Sequence, residues 1–443
     1  MYVCGVTTYD LSHVGHARSA IVFDVMRRYL TFRGYRVTFV RNFTDIDDKI
    51  IRRANEEGVS ARDVSERYVD AYREDIAAVG VLPGDVEPKA TEHVAQMIAL
   101  IERLIARGFA YVVDGDVYFE IRRFPPYGRL SGKNLEELLA GARVDVDERK
   151  RDPRDFALWK ATKPGEPSWP SPWGLGRPGW HIECSAMSMT YLGESFDIHG
   201  GGEDLIFPHH ECEIAQAEAA TDRPFSRYWV HNAFVNLASE KMSKSLGNVL
   251  AIRELVKRHP SDVIRLWLLG AHYRSPIEFG EERLREAGRA MDRFTRLFHD
   301  AQTFRKESDR RPELPADLAA HRDRFIGAMD DDFNTPQALG VLFDLARVLY
   351  ERLERAPRDA AAAAEVVAGV DELRRLGRAL GLFEQEVEPS GPPDEVRRMA
   401  EERDAARKRR DFARADALRA EIASRGWAVE DTAAGPRLTP RGA

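Results

Sequence analysis

Residues 2–43 constrain this chain more than any other stretch, because they read as strand, helix and strand in direct succession. Residues 2–4 are short and apolar, residues 15–32 carry helical periodicity, and residues 35–43, Tyr-Arg-Val-Thr-Phe-Val-Arg-Asn-Phe, alternate as a strand does. Arg33-Gly34 closes the helix with a glycine suited to the left-handed C-terminal position. A helix crossing between two strands makes a βαβ unit, hence a parallel sheet whose ligand crevice lies at the carboxyl ends of its strands. Cys4 ends the first strand and His13 follows it, so both sit at that crevice.

The whole chain must be larger than one such unit. At one domain per ~150 residues, 443 residues predict two to four domains, and 43% hydrophobic with 31% charged residues is a globular composition. No apolar run approaches the ~18 residues of a membrane span, and the start lacks the basic lead of a signal peptide, so a cytoplasmic protein is expected, without membrane partners. Cys4, Cys184 and Cys212 are too few and too scattered for a disulfide framework and read as reduced thiols, either core residues or metal ligands. A net charge of -7 means that any nucleic acid must dock on local basic patches.

Helical periodicity dominates residues 60–107; residues 110–121 then alternate like a hairpin, ahead of a turn-rich stretch at 125–133. These segments read as an insertion between two halves of the sheet. Five prolines in residues 163–179 predict an ordered loop there, neither helix nor central strand. Beyond residue 250 the pattern is helical, with Asn334-Thr335-Pro336 supplying a cap and an early proline. Residues 384–393 read as a linker; after it, one charged helix at 394–424 and a short strand at 427–429 form a separate unit.

Two elements suit phosphate. In His13-Val14-Gly15-His16, a glycine between two histidines at a helix mouth lets backbone approach an anion that the imidazoles and the helix N-terminus both face. Lys241-Met242-Ser243-Lys244-Ser245-Leu246-Gly247-Asn248 places two lysines three apart in a loop able to close over a polyphosphate. Either alone has a plain alternative, a histidine satisfied in a turn or a solvated charged loop; their joint occurrence after a βαβ start points to ATP. A carboxylate needs no general base to attack ATP, since it is ionised at neutral pH. Positioning and charge stabilisation suffice. Neither a Gly-any-Ser-any-Gly elbow nor a Walker loop occurs.

His209 and Glu213, four apart in a helix entry, would share one face, and with Cys4 and Cys184 they make a donor set suited to Zn²⁺ rather than Mg²⁺ or Ca²⁺. The alternatives are buried core cysteines and an exposed His-Glu pair, and Cys212 is a competing ligand ranked below Glu213.

At this density of motifs the chain resembles the cysteinyl-tRNA synthetases, a family of class I aminoacyl-tRNA synthetases. The resemblance runs from Met1-Tyr2-Val3-Cys4-Gly5 and the His13 to Arg18 segment through Asn42-Phe43-Thr44-Asp45-Ile46-Asp47-Asp48-Lys49, the segment Arg177 to Cys184, and Phe207 to Glu213, to the segment Lys241 to Asn248. It implies an α/β fold: a Rossmann-like parallel-sheet catalytic domain over 1–250 with an insertion at about 85–175, a stem-contact segment at 251–290, an α-helical bundle at 291–383, a linker at 384–393 and a small α+β anticodon-binding domain at 394–443. It implies catalytic roles for His13, His16, Lys241 and Lys244, with Gly15, His16 and Lys244 on ATP. Thr44 and Trp180 would line the amino-acid pocket, and Cys4, Cys184, His209 and Glu213 would hold one Zn²⁺. Mg²⁺ would accompany ATP, L-cysteine would be the acid, and tRNA(Cys) the acceptor, served by a monomer. Phe412, Asp416 and Asp431 would contact anticodon bases, and the basic run Arg407-Lys408-Arg409-Arg410 would meet tRNA phosphates. Zinc would select a thiolate and reject serine without editing.

Two departures stand out. Val6-Thr7-Thr8-Tyr9 replaces a loop in which the family usually carries proline, which removes a backbone constraint, and the family's usual lead-in before the first strand is not in the sequence, as if the natural start lay upstream or the enzyme were shortened. Rival readings are the mycothiol-pathway cysteine ligase, which passes cysteine to an amino sugar but usually lacks the anticodon tail and Glu213, and a non-catalytic tRNA-binding paralogue.

Overall fold

The fold is described from a computed structural model, over residues 1–133, 149–237, 240–241, 250–305, 313–384, 394–432 and 435–440. Strand β1 (Tyr2–Thr7), helix α1 (Val14–Phe32) and strand β2 (Val40–Thr44) form the expected parallel unit, with Tyr2 opposite Val40 and Thr7 opposite Thr44. Gly34 follows the helix at φ 90°, a conformation in which a side chain would be strained. The second strand is shorter than the alternation at 35–43 predicts. Upstream of Val40 the chain runs beside another loop instead, the Phe39 N–H donating to the Asp85 carboxylate.

Helices Asp48–Glu57, Ala61–Ala78 and Val94–Ala106 lead into a separate antiparallel sheet of β3 (Ala110–Val113), β4 (Asp116–Phe119), β5 (Phe156–Ala161), β6 (Trp169–Ser171) and β7 (Gly174–Pro178). Asp114 and Gly115, both at positive φ, make the tight β3–β4 turn. The strand order β3-β4-β5-β7-β6 corrects the expectation of a loop at 163–179, since β7 lies between two strands. The prolines permit this because Pro170 is on the edge strand and Pro178 ends its own. Gly176 is required in β7: a Cβ there would lie 2.3 Å from Trp159 Nε1 and 2.4 Å from the Lys160 carbonyl oxygen.

Helix Trp180–Leu192 returns the chain to β8 (Phe196–Gly202), and helix Glu211–Thr221 leads to β9 (Ser226–Asn232). The sheet order is β2-β1-β8-β9, parallel throughout, with β1 inside it. Three short strands follow, β10 (Val235–Leu237), β11 (Glu240–Lys241) and β12 (Ile277–Phe279), with β10 antiparallel to β11 and parallel to β12. No helix among the described residues is long and apolar enough to cross a membrane.

Two compact units result: Met1–Gly288 with Asp323–Val341 and Arg375–Leu382, and Arg289–Arg322 with Leu342–Arg374 and Phe383–Ala443. Asn334 caps helix Thr335–Leu353 as predicted, its Oδ1 accepting from the Gln337 N–H at 3.2 Å. Most of the linker expected at 384–393 lies outside the described residues. The single helix expected at 394–424 is instead two, Asp394–Lys408 and Phe412–Ser424. Arg410 turns to φ 63° between them, and Asp411 caps the second helix by accepting from the Arg414 N–H. Hairpin β13 (Trp427–Thr432) and β14 (Gly435–Pro440) packs its Val429 with Val396, Ala400 and Ile422.

In the first unit a buried ion pair steadies the far side of α1. The Arg265 Nη2 donates to Asp24 Oδ2 at 2.7 Å and to the Leu380 carbonyl at 2.9 Å, and Gly381, at φ 68°, leaves the guanidinium its space. Removing one partner of a buried pair is costly. Arg265→Met should destabilise the protein by ~3 kcal/mol, the low end for such losses because Asp24 keeps Arg28. Thermal melts followed by circular dichroism check this.

Candidate active site and metal centre

His13 caps α1. Its Nδ1 accepts from the Gly15 N–H at 3.1 Å, while His16 Nδ1 accepts from the His13 N–H at 3.3 Å, and the two rings stack at 3.8 Å between centroids. With both Nδ1 atoms occupied as acceptors, the proton of each neutral ring belongs on Nε2, which is then a donor. A Cβ on Gly15 would come within 3.0 Å of the His13 ring, so glycine lets the imidazole fold back over the helix end. This makes an anion-binding helix N-terminus with two additional donors.

The second phosphate element is bracketed by this first one. Lys241 is paired through its backbone with Asn236, next to Val235 on the cleft wall. On the far side of the segment, the Val14 N–H donates to the Leu250 carbonyl at 3.0 Å and the Ile252 N–H to the Ser12 carbonyl at 3.0 Å. Lys244 lies outside the described residues.

The metal candidates converge beneath β1. The register of β1 against β2 shifts between Val3 and Val6, an extra residue that bends the strand at Cys4 and Gly5. Gly5 is obligatory there, since a Cβ would lie 1.6 Å from the Asn42 carbonyl oxygen. Donor atoms of Cys4, Cys184, His209 and Glu213 lie within 4.8 Å of one another. Ligands around a tetrahedral zinc ion stand roughly 3.3–3.8 Å apart, so two thiols, an imidazole and a carboxylate at this spacing fit that ion. Cys4 Sγ donates to Glu213 Oε1 at 3.3 Å, and His209 Nε2 stands 3.1 Å from the same oxygen. Burial pushes both thiols up and draws the His209 imidazole well down, with His181 and His199 adding to the latter. Cys212 points elsewhere: its Sγ is 3.2 Å from the Tyr127 hydroxyl.

The sequence reading passed over a second ring of histidines. His199 Nε2 meets Glu213 Oε2 at 3.0 Å, and with Cys4, His210 and Glu213 it forms an overlapping group with donor atoms equally close. His181 Nδ1 bonds His209 Nδ1 at 2.9 Å, and His210 Nδ1 bonds His231 Nε2 at 2.8 Å. His199-Gly200-Gly201-Gly202, ending a strand beside β1, was the available signal. A Cβ on Gly200 would strike Phe23 of α1, and one on Gly201 would crowd His210.

One cleft of about 400 Å³ joins these parts, reaching from Cys4 and Trp180 past Gly5 and Asp204 to His13 and His16. Trp180 stacks on His209 at 4.3 Å between centroids. Thr44 is not on the cleft wall: it is buried, its hydroxyl donating to Glu183 Oε2 at 2.8 Å, while burial drives the Glu183 carboxyl well above its ordinary range. In the loop that lacks the family's proline, the Thr8 hydroxyl lies 2.9 Å from Ser65 Oγ and the Thr8 N–H donates to the Thr44 carbonyl at 3.1 Å, bonds that tie the backbone down.

Residues 1–289 match the family model for the tRNA synthetases class I (C) catalytic domain, and residues 324–384 match the DALR domain. A cysteine–tRNA ligase of Geobacter sulfurreducens is 52% identical over 98% of this chain and 94% of its own length, and one of Alkalilimnicola ehrlichii is 54% identical over 99% and 94%. The chain belongs to the cysteine–tRNA ligase family of class I synthetases. Its backbone also resembles a Mycobacterium tuberculosis methionyl-tRNA synthetase solved with methionyl-adenylate (TM-score 0.63, 17% identity, covering 86% of this chain and 89% of that one) and an Agrobacterium radiobacter LeuRS in a ternary complex (TM-score 0.62, 13% identity, 86% and 83%). At those identities the likeness is one of fold, a parallel-sheet class I core.

In the C-terminal part of this cysteine–tRNA ligase family member, Phe412 is 61% exposed at the start of its helix, with Asp416 one turn on. Asp431 is engaged: Arg403 holds both its oxygens, at 2.7 and 3.2 Å, and Arg407 pairs with it too. Lys408 pairs with Asp404 at 2.8 Å, so two members of the basic run are already spent on carboxylates.

The metal geometry has a direct test in zinc content. Cys184→Ser and His209→Gln should each lower bound zinc from about one equivalent to a small fraction, whereas Cys212→Ser should keep it. Elemental analysis of dialysed protein reads this out. Loss in His199→Gln with retention in Cys184→Ser would instead place the ion in the overlapping group.

Proposed function

We propose that the protein activates L-cysteine with ATP and transfers it to the 3′ end of tRNA(Cys). The observation that carries this reading is the single cleft with Cys4 at one end and His13 and His16 at the other. One end offers thiol, imidazole and carboxylate donors and the other a helix mouth with two imidazoles, and the family supplies the class of reaction.

The cysteine carboxylate attacks the α-phosphorus of ATP, the bond from that phosphorus to the bridging oxygen of the β-phosphate breaks, and pyrophosphate leaves; Mg²⁺ bound with ATP would offset the phosphate charge. The Nε2 donors of His13 and His16 and the N-terminus of α1 would meet the charge that develops on the phosphates, and Lys241 and Lys244 would add positive charge to it. No side chain need remove a proton. A ribose hydroxyl of the terminal adenosine of tRNA then attacks the acyl carbon and AMP leaves.

Cys4, Cys184, His209 and Glu213 would hold Zn²⁺, which supplies a Lewis acid for the substrate thiolate. Their burial excludes water from that contact, and Trp180, stacked on His209, walls the amino-acid end. Serine offers only a hydroxyl far above neutral in pKa and a harder donor, so rejection occurs at binding. Phe412 is free to stack an unpaired base, whereas Asp431 could receive a base edge only by sharing its arginines.

Pyrophosphate exchange with purified protein tests the proposal. Cysteine should drive exchange at least about 10⁴-fold better than serine, and stripping zinc with a chelator should abolish it. Transcribed tRNA(Cys) should then accept the labelled cysteine. Equal exchange with serine would overturn metal selection, and transfer to an amino sugar instead of tRNA would overturn the ligase reading.

A further inference from the structure

Arg18 lies on α1 little more than half a turn beyond His16 and is only 1% exposed, yet no carboxylate among the described residues forms an ion pair with it, Glu203 acting on it only through its charge. Its guanidinium is spent on backbone. Nη1 donates to the Phe234 carbonyl at 3.3 Å; Nη2 faces the carbonyls of His272 at 3.2 Å and Tyr273 at 3.5 Å, and that of Ser275. Burial draws the group down to about 10, so it is still a cation at neutral pH.

Those carbonyls are the heads of two adjacent strands. Ala233 N–H donates to the Tyr273 carbonyl at 2.8 Å and Ile277 N–H to the Phe234 carbonyl at 3.0 Å, after which β10 and β12 run in parallel. Ala233, Phe234 and Val235 line the cleft, and β10 pairs with β11, which ends on Lys241. The other face of the loop is clamped independently: Tyr273 Oη donates to Asp332 Oδ1 at 2.6 Å and Arg274 Nε to Asp332 Oδ2 at 2.6 Å. Arg18 thus joins the helix carrying His13 and His16 to the heads of β10 and β12. A planar fork of donors can bridge several carbonyls at once; a lysine ammonium presents a point charge with fewer fixed directions.

We propose that Arg18 is the positioning residue that sets the head of β10 against α1, so that the cleft wall at Ala233 to Val235 and the helix mouth at His13 and His16 meet on one ATP molecule. The inference rests on the proposed use of those elements for ATP. The metal end of the cleft hangs on other segments, around Cys4, Cys184 and Glu213, so the effect should fall on the nucleotide and spare the amino acid.

The test compares full-length wild type with Arg18→Lys and Arg18→Met, reporting rates per zinc-loaded molecule and recording Tm for each. In cysteine-dependent pyrophosphate exchange, Arg18→Met should raise the KM for ATP by about 10-fold or more and lower kcat by about 100-fold, with the KM for cysteine within about 2-fold of wild type. Arg18→Lys, which keeps the charge and loses the fork, should recover only part of this. If Arg18→Met does not fold, Arg18→Lys carries the same split in a smaller form. A kcat that drops only with the folded fraction, both KM values unchanged, would show a merely structural arginine and overturn the proposal. Equilibrium binding of a non-hydrolysable ATP analogue separates the two readings. A wild type that binds the analogue without cysteine-dependent exchange sinks the cysteine reaction, while weaker binding by Arg18→Lys in that same assay still supports the role of Arg18.

Discussion

The extra residue in β1 between Val3 and Val6 is the local constraint on which the site depends. β1 is hydrogen-bonded on both edges, to β2 and to β8, so the strand cannot be re-aimed without a bulge. The bulge costs ladder bonds, and the sheet recovers one of them through a side chain, the Gly5 N–H donating to Asn42 Oδ1 at 2.9 Å. Because Gly5 has no Cβ, β2 can approach closely enough for this, and Cys4 is turned down toward Cys184 and Glu213 while the chain continues to His13.

Beneath that bend lies an electrostatic problem that the protein solves with geometry. Glu213 is fully buried, and the groups facing it are a thiol and imidazoles, His209 among them with its charged form disfavoured by burial. A buried carboxylate is expensive without a compensating charge, and a divalent cation is the compensation that suits sulfur, nitrogen and oxygen donors together. His199 on one oxygen and His209 near the other hold the carboxylate in a defined orientation, the kind of support that tunes a metal site. Trp180 and the Thr44–Glu183 bond then connect this buried layer to the cleft wall and to β2.

Much of this was legible in residue patterns because the relevant signals are local. A C-cap glycine and an i, i+4 His-Glu pair depend on neighbours a few residues away and appear where expected, and the alternating strand appears in its second half, from Val40. Signals misread were those in which tertiary context overrides local propensity. Five prolines argue against a strand, yet β7 forms because its one proline, Pro178, falls at its end, Pro170 lies on the edge strand beside it, and Gly176 admits Trp159. The charged run at 394–424 looks continuous, yet it breaks where Asp411 offers a cap. Thr44, which the resemblance puts in the amino-acid pocket, is buried with its hydroxyl bonded to Glu183.

What the sequence determined by itself was the class of chemistry: a βαβ start, a histidine pair at a helix mouth, a lysine segment, and cysteine, histidine and glutamate donors, each defined by residue type and short spacing. Only the tertiary structure decided which donors meet. Cys4 and Glu213 are 209 residues apart and stand 3.3 Å from each other because parallel strand order, not sequence distance, brings their elements together. The same holds for Arg18, an arginine at the end of a helix motif with no partner assigned by sequence, to which two distant strand heads present their carbonyls. Residue type states what a side chain can do, and long-range packing selects the partner with which it does it.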